Sequence, residues 1–91
     1  MSQAGLIEAS LLGLLAARSP DASICPSDVA RALASDDDAW RALMEPVRQV
    51  ARGLARQGIV VITQGRRVLA ADSPLVGPVR LRRGPAWDDR R

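Results

Sequence analysis

The chain has 91 residues, an apolar fraction of 47% and a net charge of +3, with one cysteine and no histidine. That length suits one domain with a modest core, and the lone Cys25 and absent histidine argue against an internal disulfide or a zinc site. Trp40 and Trp87 are the only aromatic residues, too few for the base-stacking sheet of an RNA-recognition or oligonucleotide-binding fold.

The charge is unevenly placed. Residues 1–47 hold Arg18, Arg31 and Arg41 against seven acids, a balance of −4, whereas residues 48–91 hold ten arginines against Asp72, Asp88 and Asp89, a balance of +7. A basic half of this kind points to a polyanionic partner; the bland alternative is a solvated tail that aids solubility. Every basic residue is arginine, which can grip phosphate or guanine with two parallel hydrogen bonds.

Residues 6–18 read as the first helix, since Ile7, Leu11, Leu14 and Leu15 recur at helical spacing and Leu6 and Leu12 widen the stripe. Such an apolar helix is core, or core plus a dimer face. Its longest uncharged run, 9–17, is too short to span a bilayer. Glu8 and the lack of an early positive charge argue against a secretory signal, so the expected location is cytoplasmic. Pro20 ends the helix.

Residues 23–25 are expected to be extended, because Pro26 disfavours the helical region for its predecessor. Pro26 suits the first turn of a second helix running to about Ala34, with Ser27 and Asp28 as first-turn acceptors and Val29, Ala30 and Leu33 buried. Asp36, Asp37 and Asp38 supply too few ligands for a metal and read as a helix cap and first-turn charge. Trp40, Leu43, Met44 and Val47 keep helical period across Pro46. Residues 39–57 are therefore one kinked helix, or a short helix followed by a new one with Pro46 in its first turn. The second reading avoids an interior proline that would cost roughly 3 kcal/mol.

The long helix places Val47, Val50, Ala51 and Leu54 on an apolar stripe and Arg48, Gln49, Arg52 and Arg56 about half a turn away, with Gly58 as its C-terminal stop. Residues 59–64 form a strand, Gly65 and Arg66 a tight turn, and 67–71 the returning strand. V-R-L-R-R at 79–83 alternates like an edge strand. Val29, Leu33, Val47, Val50 and Leu54 should pack on the Leu11–Leu15 face and on the strand's inner side.

Catalysis finds no support. Histidine and a glycine-rich phosphate loop are missing, and the carboxylates sit at helix starts rather than facing one another. Cys25 reads as a small buried residue, because as a nucleophile it would lack a histidine base. The chain is expected not to be an enzyme and to use no cofactor or metal.

S-I-C-P-S-D-V-A-R-A-L (23–33), W-R-A-L-M-E-P-V-R (40–48) and I-T-Q-G-R (62–66) give the chain its resemblance to a family. It resembles the small bacterial proteins of domain-of-unknown-function family 3253, of the winged-helix superfamily, over about residues 6–82. The resemblance implies a winged-helix fold and, by superfamily analogy, DNA binding; it lends no activity. The acidic stretch 34–39 lengthens the turn before the long helix, and the hairpin tip is very short, which limits minor-groove reach.

The fold expected is α+β: a winged helix-turn-helix with three to four helices and a C-terminal two- or three-stranded β-hairpin wing, over residues 1–83, with 84–91 a flexible tail whose Trp87 can dock on the body. The function expected is binding of double-stranded DNA, as in a small transcriptional regulator. Arg48, Gln49, Arg52 and Arg56 would enter the major groove, where arginine reads guanine and glutamine adenine. Arg66 and Arg67 would hold flanking phosphate, with Arg80, Arg82 and Arg83 adding a salt-sensitive grip. The alternative is a protein-interaction or dimerisation module without DNA, since Glu45 at the start of the reading helix would repel phosphate and the oppositely charged halves could pair in a homodimer. Neither a membrane nor a small-molecule ligand is expected as a partner.

Overall fold

The computed structural model describes residues 2–88. The elements run α1 (Gln3–Ala16), β1 (Ser23–Ile24), α2 (Pro26–Leu33), α3 (Asp37–Ala42), α4 (Met44–Arg56), β2 (Val60–Gln64), β3 (Arg67–Leu69) and β4 (Arg80–Arg83). The architecture is α+β, with four antiparallel strands in the order β1-β4-β2-β3.

Local chemistry explains where the helices start and stop. Ser2 accepts from the Gly5 amide, so α1 begins three residues before the apolar stripe does. Pro26 is the first residue of α2, and Asp28 reaches back to the Cys25 amide at 2.8 Å. Asp36 caps α3 through the Ala39 amide, with Asp37 and Asp38 in its first turn. Leu43 separates α3 from α4, which leaves Pro46 in the first turn of α4, where it displaces no helical hydrogen bond. The two-helix reading of 39–57 therefore holds. At the far end Gly58 has φ 75°, its amide bonds Ala55 O, and the Ile59 amide bonds Leu54 O; together these form a Schellman stop.

The sheet separates its faces by strict alternation. Ile24, Leu81, Ile62 and Leu69 lie opposite one another across all four strands, and the first three are fully buried. They meet Ile7, Leu11 and Leu15 of α1, Val29 of α2 and Val47, Ala51 and Leu54 of α4 in one cluster. Each such side chain removed from water contributes roughly 1.5–3 kcal/mol before entropy is counted. The neighbouring rows, Ser23–Arg82–Val61 and Arg80–Thr63–Val68, belong to the opposite face.

Several expectations need correction. β4 is not an edge strand: it lies between β1 and β2, because β1 supplies an outer partner and Leu81 must be covered on both sides. The sheet thus has four strands, one more than a three-stranded hairpin wing, and β3 ends at Leu69 rather than 71. Leu33 is exposed, since α2 ends there and turns its last residue outward, and Val50 is only half-buried.

The stretch 84–91 falls into two parts. The amides of Gly84 and Ala86 bond Ile59 O and Gly58 O, continuing the pairing beyond β4, and Trp87 packs on the core. Residues 89–91 lie outside the described residues. Among the described residues no helix is long and apolar enough to cross a membrane.

Candidate nucleic-acid interface

The arginines singled out by the sequence separate into two groups. Those on α4 face residues 70–79, the segment that leads from β3 back to β4. Arg52 is half-buried, and its Nη1 donates to Ala71 O at 2.9 Å and Ser73 O at 2.8 Å. One turn on, Arg56 Nε and Nη2 both donate to Asp72 Oδ1, at 3.1 and 2.9 Å. One turn back, Arg48 is half-buried and lines a cavity of about 170 Å³ with Cys25, Pro26, Ser27, Met44, Pro78 and Val79. Gln49 is exposed, but its Nε2 bonds Glu45 Oε1 at 2.8 Å. The outward side of α4 therefore presents Glu45, Gln49 and Arg56, with Arg52 drawn sideways onto the segment after β3.

The second group lies on β4 and the hairpin. Arg80 Nε donates to Ser23 Oγ, its Nη2 to Ser23 O and its Nη1 to Cys25 Sγ, so its guanidinium ties β1 to β4. Arg82 projects from the same face, beside Ser23 and Val61. At the hairpin turn Arg66 comes back toward it. Arg66 and Arg82 line one groove of about 380 Å³ with Asp21, Ser23, Thr63, Gly65 and Val68. Arg67, opposite Gln64, is exposed, but alternation turns it to the other side of β3 from Val68, so it does not join this groove. Leu81 points inward, so period-two alternation puts Arg80 and Arg82 on one side of the sheet, and the hairpin turn adds Arg66.

Arg83 has a different task. It points to the helix side, where its Nη2 donates to the carbonyls of Leu15, Ala16 and Arg18 at 3.1, 3.4 and 3.0 Å. A guanidinium there satisfies the last carbonyls of α1 and meets the negative end of its dipole. The Trp87 ring stacks 4.9 Å from the same guanidinium. Arg31 and Arg41 are likewise engaged, 4.4 and 5.3 Å from the Trp40 ring, and Trp40 Nε1 bonds Asp37.

The match to a known family covers residues 4–84 and is to the protein of unknown function DUF3253. The chain belongs to the DUF3253 family. No curated protein matches it. The matched span contains both arginine groups of this DUF3253 domain and the strand β1 that Arg80 holds, while Trp87 lies beyond it.

Sequence reasoning missed three residues of this surface. Asp21 and Thr63 enter the groove through the pairing of β1, β4 and β2, which no local pattern announces. Asp72 did carry a signal: it is the sole carboxylate between Glu45 and Asp88.

Proposed function

We propose that this DUF3253 domain is a winged-helix module that binds double-stranded DNA through the sheet face and hairpin tip, with the outward end of α4 beside the duplex. The observation that carries the reading is the convergence of Arg66 and Arg82, distant in sequence, on one groove of the sheet's solvent face. Arginines held at fixed spacing on a rigid sheet suit the phosphate backbone, whose contacts set register and give most of the salt-dependent affinity. The strand order supports the same reading: β1, between α1 and α2, pairs with the last strand, and β2 leaves the long helix directly. That layout is shared with winged-helix domains and is a fold-level analogy.

The test is binding of a labelled random-sequence duplex at about 50 and 200 mM salt, for wild type and Arg66→Glu/Arg82→Glu. Both side chains lie on the solvent face and make no core contact, so the variant should fold. Binding that weakens steeply with salt and is lost in the variant is the expected result. Absence of binding at the lower salt, or binding indifferent to the two changes, overturns the proposal.

Leu6, 45% exposed on α1, favours a second reading as a protein-interaction or dimerisation module. Sedimentation without nucleic acid separates the two. A homodimer that persists on Arg66→Glu/Arg82→Glu and loosens on Leu6→Gln would support self-association through the helices.

A further inference from the structure

We propose that the segment after β3 is an autoinhibitory strap on α4, with Asp72 holding Arg56 in the way a nucleic-acid phosphate would. The inference rests on the DNA-binding reading above. Gln64 of β2 ties the far end of the strap through Val76 O and Pro78 O, and α4 holds its near end through two arginines of different character. Arg52 is the anchor: half-buried, it bonds two main-chain carbonyls on either side of Asp72, and the Ser73 amide bonds Ala70 O to close a turn. Arg56 is the latch: its side chain is 56% exposed and the Asp72 side chain 81% exposed.

The two attachments respond differently to a polyanion. The carbonyls on Arg52 belong to half-buried residues of a closed turn and are held in place by the main chain. The Arg56–Asp72 pair stands in water, where screening makes an ion pair weak and a competing phosphate can replace one partner. Opening the latch needs only rotation of two exposed side chains, since Arg52 continues to hold the strap.

Asp72 is also the only acid in the whole stretch 46–87. That stretch includes every arginine of the proposed surface. The one carboxylate in it sits on the outward-facing cation of α4. It covers a charge that would otherwise be free to grip phosphate, and it repels an approaching duplex from the same spot.

The experiment compares wild type, Asp72→Asn, Arg56→Gln and the double variant in duplex binding across a salt series. Freeing Arg56 adds one phosphate contact, so Asp72→Asn should bind about three- to tenfold more tightly at about 50 mM salt and steepen the slope of log K against log salt by about 0.9. In the Arg56→Gln background the same change should give no such gain in slope. Asp72→Asn binding no more tightly than wild type overturns the strap, as does an equal gain with Arg56 absent, which would mark a diffuse charge effect. Wild-type binding that depends on Arg66 and Arg82 but ignores Asp72 removes the strap alone. Failure of both wild type and Asp72→Asn to bind duplex removes the strap together with the reading on which it rests.

Discussion

Replacing Arg52 with methionine distinguishes a DNA-reading arginine from a structural one. A side chain held ready for a base edge contributes little to the free protein, and its loss should leave stability within about 0.5 kcal/mol of wild type. The structure gives Arg52 a different role. Its Nη1 makes two bonds of 2.9 and 2.8 Å to Ala71 O and Ser73 O in a half-buried setting. Hydrogen bonds from a charged donor contribute about 1.5–3 kcal/mol each when well buried. Both bonds here share one nitrogen, and water can reach part of the site, so about 1–2 kcal/mol in total is the reasonable figure. Methionine keeps the aliphatic stem's packing and removes the donors. For a domain of this size the loss corresponds to roughly 4–16 °C in Tm. Thermal and urea unfolding followed by circular dichroism measure it, with Arg66→Met as the surface control. Equal stability of Arg52→Met and wild type would refute the anchor role and return Arg52 to the reading face.

Three further substitutions test the packing that positions the surface. At Gly84 an added Cβ would fall onto the carbonyl of Gly58, so Gly84→Ala should destabilise by about 1–3 kcal/mol in urea unfolding. Gly53, in the middle of α4, has open space where a Cβ would go, and Gly53→Ala should raise stability by about 0.5–1 kcal/mol. Arg83→Met removes the donor shared by three carbonyls at the end of α1. A loss of about 1–2 kcal/mol and faster amide exchange through the last turn of α1 are the expected outcomes.

Charge reversal of Arg48 and Arg52, two of the residues expected in the major groove, is a poor probe of DNA binding in this fold. Arg48 is half-buried in the wall of the cavity it shares with the start of α2 and residues 78–79, and Arg52 holds the strap. Charge reversal at either site would damage the fold and lower binding for reasons unrelated to phosphate. Arg66 and Arg82 carry the test because their loss leaves the core intact.

The sequence by itself determined whatever is settled within a few residues. Pro26 in a first turn, a cap from the run Asp36, Asp37 and Asp38, the break before Pro46, the Gly58 stop and the turn at Gly65 and Arg66 are all local, and all were legible, although which aspartate caps was not. So was the apolar stripe of α4, because a helix repeats its buried face every turn. The family was legible too, and the match over residues 4–84 bears it out. Only the tertiary structure decided where the arginines act. Arg56 finds its partner 16 residues away, Arg80 57 and Arg83 68. Periodicity tells which way such a side chain leaves its element and nothing about what the chain later brings to meet it. β4 shows the same limit, since V-R-L-R-R alternates identically at an edge and in the middle of a sheet. Its central place came from β1, two residues long and far earlier in the chain, offering a second set of backbone partners. A guanidinium is long, flexible and rich in donors. It serves equally as a nucleic-acid grip, a helix cap or a loop anchor, and the choice falls to whichever acceptors the fold delivers.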